Sequence, residues 1–151
     1  MWSPDEVIEK LNNAFNISIS RPTLLRYEKL GLIPGPERGG TGRRGRYTNY
    51  PEETVAEAYA SWCLLHGQYG GEEKEWFGGK MPSLSAVFVK TLREKIVNNQ
   101  ITWGTLIVKR DPVRRFHTPY YEPSEEVFAT IFGYYWKGIK EEALKNLKSY
   151  S

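Results

Sequence analysis

The sequence predicts a mainly α-helical fold, with a helix-turn-helix near the N-terminus and a long helix near the C-terminus. Helix start signals recur along the chain, and apolar residues follow most of them at helical spacing. Stretches rich in glycine or proline separate the helical segments. The 151 residues are 40% hydrophobic and 26% charged, which suits one folded domain or two small ones that share a core.

The first helix is predicted to begin at Ser3-Pro4-Asp5-Glu6. Ser3 is a good N-cap, Pro4 fits the first helical position, and Glu6 completes a capping box. Asparagines at positions 12, 13 and 16 are predicted to end the helix. The turn Asn16–Ile19 is short, so the next helix must pack against the first at a steep angle. The apolar stripe of the first helix comprises Val7, Ile8, Leu11 and Phe15.

The second helix is predicted within Ser20–Ile33. Ser20 serves as N-cap, Pro22 lies in the first turn, and Gly31 supplies the left-handed residue that ends the helix. A short helix-turn-helix with a basic second helix is typical of proteins that read the DNA major groove. Taken alone, the stretch equally suits an ordinary amphipathic helix. The predicted solvent side carries Arg21, Thr23, Arg26 and Lys29.

A basic loop follows the second helix. Residues 37–47 contain four glycines and four arginines, which favours a hairpin whose arginines reach phosphates. Residues 17–50 carry seven Lys or Arg and two Glu, a net charge of +5. A local basic patch of this kind indicates binding to a phosphate backbone. The alternative is a disordered basic loop without a function.

The third helix is predicted to begin at Pro51-Glu52-Glu53 and to end near Leu65 or His66. Residues 67–80 contain five glycines and are predicted to form a linker. We expect its aromatic pair, Trp76-Phe77, to pack onto a flanking unit. The predicted division is therefore a DNA-binding domain at 1–66, a linker at 67–80, and a helical unit at 81–151. The predicted buried side of the third helix comprises Val55, Ala56, Tyr59, Trp62, Cys63 and Leu65.

The second half is predicted to contain two helices. Ser83 should cap one that ends near Asn98, and Ser124 should cap a longer one that reaches Lys148. Residues 102–109 suit a strand or a helical turn. The long helix either packs on its own copy in a homodimer or lies across the helix at 83–98. Its predicted stripe comprises Val127, Phe128, Ile131, Tyr135, Gly138 or Ile139, Ala143 or Leu144, and Leu147.

Aromatic side chains are frequent in the second half and could line a pocket for a small apolar or cationic effector. The alternative, which the composition favours, is that they form the core and a dimer interface. A basic loop carrying Arg110, Arg114 and Arg115 could contact DNA or an anion, or be solvated. The candidate pocket residues are Trp103, Phe116, Tyr120, Tyr121 and Tyr135, with Tyr134 and Trp136 on either side of Tyr135.

Several functional classes are disfavoured by the composition. One cysteine, Cys63, excludes an intramolecular disulfide and a multi-cysteine metal site. Neither His66 nor His117 lies in a recognisable motif with it, and no glycine loop of nucleotide-binding type is present, so we expect no enzyme, metal or cofactor. We find no signal peptide and no apolar run near 18 residues, so a cytoplasmic protein without membrane contact is expected.

The N-terminal third resembles the DNA-binding domain of MerR-family regulators. The similarity covers about Ser3 to Leu65 and is strongest in Thr23-Leu24 followed by Tyr27-Glu28-Lys29-Leu30-Gly31-Leu32-Ile33-Pro34. It implies a winged helix-turn-helix whose second helix reads the major groove while the loop, the wing, lies on the sugar-phosphate backbone. Leu25 stands where the family usually has arginine, and Gly45–Tyr50 matches the family's G-Y-R-x-Y element only loosely.

The resemblance also implies homodimers that bind palindromic double-stranded DNA, here through the helix at 124–148. We therefore expect a sequence-specific transcriptional regulator. The alternatives are an accessory DNA-binding protein of a mobile element, similar to an excisionase, and a winged helix used for protein docking. The predicted DNA-binding residues are Ser20, Arg21, Thr23, Arg26, Tyr27, Lys29, Arg38, Arg43, Arg44, Arg46 and Tyr47.

Overall fold

The computed structural model describes residues 1–40, 46–100 and 125–149, which confirm a mainly helical fold. The strand or turn predicted at 102–109 and the Ser124 cap lie outside the described residues. The described elements are, in chain order, α1 (Pro4–Phe15), α2 (Arg21–Lys29), β1 (Glu37–Gly39), β2 (Tyr47–Asn49), α3 (Thr54–Leu65), a 3-10 helix (Glu72–Phe77), α4 (Ala86–Val97) and α5 (Glu125–Ser149).

The first two helices begin where their caps predict. The Ser3 hydroxyl accepts from the Glu6 amide while the Glu6 carboxylate accepts from the Ser3 amide, so the capping box is complete. The Ser20 hydroxyl accepts from the Thr23 amide. Gly31 follows α2 with φ at +74°, the left-handed conformation predicted from the sequence.

The two strands form an antiparallel pair beside α2. Glu37 pairs with Asn49 and Gly39 pairs with Tyr47. Just beyond β2, the backbone of Tyr50 exchanges two hydrogen bonds with that of Trp2, at 2.9 and 2.7 Å. This bridge ties the base of the strand pair to the beginning of the chain.

Helix α3 is the centre of the molecule. It packs against α1 on one side and against α5 and α4 on the other. The sequence predicts one buried side, whereas nine of its twelve residues are buried, because other helices cover it from two directions. Its weakly amphipathic composition follows from this double burial.

Three charged side chains meet in the interior on this second side of α3. The Glu57 carboxylate is 4% exposed and pairs with Arg93 of α4 and with Lys140 of α5, whose amine lies 2.9 Å away. Both carboxylate oxygens therefore have a cationic partner, as a buried charge requires. We refer to Glu57, Arg93 and Lys140 as the interior ion cluster.

Ser61, one turn after Glu57, adds a neutral link between helices. Its hydroxyl donates to the Leu32 carbonyl at 2.9 Å and accepts from the Trp136 indole at 3.1 Å. Leu32 lies in the segment that leaves α2, so this hydroxyl joins that segment to α5. All three residues are buried, which makes the paired hydrogen bonds important for stability.

The glycine-rich stretch at 67–80 returns to the end of α3. Gly67 has φ at +70°, and a Cβ at this position would collide with the Met81 carbonyl. Tyr69 and Met81 are buried, and the Tyr69 hydroxyl donates to the Pro82 carbonyl at 2.6 Å. Both ends of the stretch are therefore anchored.

The aromatic pair between these anchors does not pack onto a flanking unit. Trp76 is 83% exposed and Phe77 is 54% exposed, so that prediction is wrong. The 3-10 helix is instead attached to α5 through Glu73, which accepts a hydrogen bond from the Tyr135 hydroxyl. That contact leaves the two aromatic rings on the outer side of the helix.

Helix α4 begins two residues later than predicted. Ser85, rather than Ser83, caps it by accepting from the Phe88 amide. The Leu84 amide donates to the Leu64 carbonyl at 3.0 Å. This bond holds Leu84, the residue before Ser85, outside the helix. A tertiary hydrogen bond therefore selects between two serines that are equally good caps by sequence.

The long helix α5 lies across α3 and α4 of the same chain. Its side facing them matches the predicted stripe in part: Ala143 is buried as predicted and Tyr135 and Ile139 are half-buried, but the buried Trp136 and Ala129 lie outside the stripe. Small residues flank Trp136 on this side and allow close approach to α3. Among the described residues, no helix is both long enough and apolar enough to cross a membrane.

Candidate nucleic-acid interface

The outward side of α2 is the candidate recognition surface. Leu24 and Tyr27 are buried against the core. At 100° per residue, the remaining exposed residues span about half of the helix circumference. We call this set the α2 face; it comprises Arg21, Pro22, Leu25, Arg26 and Lys29.

The start of the α2 face is held by α1. The Arg21 Nε donates to Asp5 Oδ1 at 2.9 Å, and the two side chains are 63% and 77% exposed. At the same end, the Ser20 and Thr23 hydroxyls lie 3.0 Å apart. Ser20 is exposed and Thr23 is half-buried. Both are predicted DNA contacts, and in the structure their hydroxyls help to form the N-terminus of α2.

Glu28 joins α2 to the strand pair. Its carboxylate accepts two hydrogen bonds from the Arg38 guanidinium of β1, at 2.7 and 2.6 Å. It also accepts from the Tyr50 hydroxyl at 2.9 Å. Two planar ionic bonds fix orientation as well as distance, so Glu28 sets the angle between α2 and the strands.

The electrostatics of this junction follow from these bonds. The Arg38 guanidinium, helped by the Tyr50 hydroxyl, holds the pKa of Glu28 below its ordinary value of 4.5, against a smaller opposing effect of burial. Burial, and then the hydrogen bond to Glu28, raise the pKa of Tyr50 to about 12. Glu28 is therefore ionised and Tyr50 protonated at neutral pH.

The strand pair presents a second exposed basic region. Arg46 and Tyr47 are exposed, as a DNA-contacting loop requires. Tyr47 lies across Gly39 on the partner strand, and a Cβ at Gly39 would collide with its ring. Glycine at position 39 therefore allows the tyrosine to lie flat on the strand pair. Arg43 and Arg44 lie outside the described residues.

A cleft of about 330 Å³ separates the α2 face from the strand pair. Arg21 stands on one side of it and Arg38 on the other, with Thr48 and Tyr50 at its strand wall. A second cleft of about 370 Å³ lies along the strands. The first cleft is lined by Pro4, Arg21, Leu24, Leu25, Arg38, Thr48 and Tyr50.

Two predicted contact residues have other roles in the structure. Tyr27 is only 6% exposed, and burial raises its pKa to about 12, so it belongs to the core rather than to the α2 face. Arg38 is half-exposed, but its guanidinium is bound to Glu28. Sequence reasoning missed the Arg38–Glu28 pair; the available signal is that Glu28 is one of two acids in the basic region at 17–50.

The predicted effector pocket is represented by one described residue. Tyr135 donates to Glu73 at 2.7 Å and packs beside Tyr69, with ring centroids 5.1 Å apart. Burial, and then that hydrogen bond, raise its pKa to about 12. Tyr135 thus takes part in an aromatic cluster with Phe88 and Phe132. Trp103, Phe116, Tyr120 and Tyr121 lie outside the described residues.

Metal and thiol chemistry find no support in the described ranges. No group of three His, Cys, Asp or Glu residues there could hold a metal ion. Cys63 is buried, and burial raises the pKa of its thiol to about 11, which makes it a poor nucleophile.

The exposed cations of the α2 face, Arg21, Arg26 and Lys29, are suited to an extended anion with regularly spaced charges. No protein-family model, curated protein or solved structure matches the chain. A function for these cations is therefore inferred from their position and contacts alone.

Proposed function

We propose that this protein is a sequence-specific DNA-binding transcriptional regulator of the MerR-like type, with a winged helix-turn-helix. The α2 face carries the proposal, because it places three exposed cations on one side of a short helix that protrudes beside a basic strand pair. In this proposal α2 enters the major groove and the strand pair is the wing.

The charges support separate roles for the two parts. Arg26 points outward from α2, where its guanidinium can donate two hydrogen bonds to a guanine edge. Arg46 and Tyr47 are exposed at the beginning of β2 and are suited to phosphate contact. Arg38 contributes indirectly, because its bond to Glu28 keeps the wing at a fixed angle to α2.

We infer that the protein acts as a homodimer on a palindromic site, as the resemblance implies. The buried side of α5 lies against α3 and α4. A second copy would therefore contact the outward side of α5, which carries Glu141, Glu142 and Lys145. Light scattering gives the mass in solution, and half-sites about one helical turn apart would indicate a symmetric dimer.

Selection of bound sequences from random duplex DNA tests the main proposal. We expect a defined sequence to be enriched and bound more tightly than unrelated duplexes. Replacing Arg46 by Ala should weaken all duplexes about equally and reduce the dependence of affinity on salt. Replacing Arg26 by Ala should instead change which sequences are preferred.

Lys80→Ala is the matched control, because it removes an exposed positive charge from the glycine-rich stretch at 67–80, outside the α2 face, the strand pair and α5. We expect it to change affinity and sequence preference little. Equal binding to all duplexes, or no enrichment at all, would contradict the proposal.

A further inference from the structure

We propose that Leu25 contacts the 5-methyl group of a thymine in the major groove and thereby determines part of the sequence preference. This inference rests on the proposed DNA binding by α2. It is carried by an apolar side chain that is exposed near the middle of the α2 face, among the three cations of that face. Leu25 is 39% exposed, whereas the adjacent Leu24 is 1% exposed.

The position of Leu25 follows from helix geometry. Arg21, Leu25 and Lys29 are spaced four residues apart and therefore form one row along α2. Leu25 is the middle member of that row. If the outer two residues contact phosphates or base edges, Leu25 lies over the bases between them. It lines one wall of the cleft between α2 and the strands, where it remains 39% exposed.

The chemistry of the side chain restricts what it can recognise. Leucine neither donates nor accepts a hydrogen bond, so it cannot read the polar edges of guanine, adenine or cytosine. Thymine is the base that presents a methyl group in the major groove. Contact between this methyl group and Leu25 removes apolar surface of both partners from water.

Bonds from α2 to other parts of the chain hold in place the helix that carries Leu25. Arg21 is bonded to Asp5 of α1, and Glu28 is bonded to Arg38 and Tyr50. These bonds fix α2 at both ends. A methyl group offers no directional bond, so recognition through it requires a rigidly positioned side chain.

The test uses the duplex enriched by selection, with each thymine replaced in turn by deoxyuridine. This replacement removes only the 5-methyl group. We expect the replacement to weaken binding by the full-length protein about fourfold when it is made at one or two particular positions. This is the effect of one buried methyl group. Leu25→Ala should bind more weakly to the thymine duplex and show no difference between thymine and deoxyuridine there.

Leu30→Ala is the control, because Leu30 is similarly exposed, at 37%, but caps the C-terminal end of α2. It should retain the sensitivity to deoxyuridine. Thermal unfolding verifies that both variants are folded. The inference is overturned if deoxyuridine has no effect at any position, or if Leu25→Ala keeps the wild-type sensitivity. Failure to enrich any sequence would instead contradict the proposed function itself.

Discussion

Two glutamates, Glu28 and Glu57, organise two different regions of the molecule. Each lies on a helix, and each carboxylate has two partners from other elements. Glu28 lies at the surface, where its side chain is 15% exposed and its arginine is half-exposed. Glu57 lies in the interior, 4% exposed, and its two cations are largely covered.

The difference shows how one type of bond can serve recognition or architecture. Glu28 orients a basic strand beside a basic helix, so it organises a surface that remains accessible. Glu57 holds three helices together and contributes nothing to the surface. Desolvation makes the interior cluster sensitive to the loss of one member, whereas water can partly replace a lost partner at the surface.

The largest effect is expected for Glu57→Ala. It leaves Arg93 and Lys140 in the interior without this carboxylate, which should lower the free energy of unfolding by about 3–5 kcal/mol. Denaturant unfolding followed by circular dichroism measures the change. Glu53→Ala, one turn earlier at an exposed position, should cost less than about 0.5 kcal/mol.

A triple replacement sharpens this prediction. Glu57→Leu combined with Arg93→Met and Lys140→Met removes all three charges together, and should regain most of the lost stability. If the triple variant is no more stable than Glu57→Ala, the cost does not arise from unpaired buried charge. Similar effects of Glu57→Ala and Glu53→Ala would also contradict the assignment.

An intermediate effect is expected for Glu28→Gln. The amide can still accept from Tyr50 but has no charge to pair with Arg38, so we expect a loss of about 1–2 kcal/mol at neutral pH. Because the pKa of Glu28 is lowered in the folded protein, its contribution is present above the unfolded-state value near 4.5. That contribution is lost as pH falls through the lower folded-state pKa.

The stabilities of wild type and Glu28→Gln should therefore converge as the pH is lowered below 4.5. Denaturant unfolding at several pH values measures the difference between the two proteins. A difference that stays constant across this pH range would show that the ion pair does not stabilise the fold.

The smallest effect on stability is expected for Arg21→Ala. Its ion pair with Asp5 is largely exposed, so the free energy of unfolding should change by less than about 0.5 kcal/mol. DNA affinity should nevertheless fall, because Arg21 is one of the three exposed cations of the proposed DNA-binding face. Thermal unfolding and binding at several salt concentrations separate the two. A larger loss of stability than for Glu28→Gln would contradict the predicted order of these two surface ion pairs.

Sequence predicts the parts of this molecule that depend on nearby residues. The Ser3 and Ser20 caps and the left-handed Gly31 were placed correctly because their partners lie within a few positions. The cap predicted at Ser83 is wrong, because the hydrogen bond from Leu84 to Leu64 places the start of the helix at Ser85.

The interior ion cluster could not be predicted from local patterns, because its members are far apart in the sequence. Glu57 lies 36 residues from Arg93 and 83 residues from Lys140, and no local pattern reports that three helices meet there. The α2 face could be predicted as basic, but its fixed angle to the strands depends on the Glu28–Arg38 bond. Whether that face binds DNA stays a prediction.

The central position of α3 has a consequence for how this chain can be inherited. A recombination event that divides the gene after residue 66 would keep α3 with the first two helices but remove Arg93, Lys140 and Trp136. Glu57 and Ser61 would then face water or foreign side chains. We therefore expect homologous chains to exchange surface segments more readily than they exchange halves.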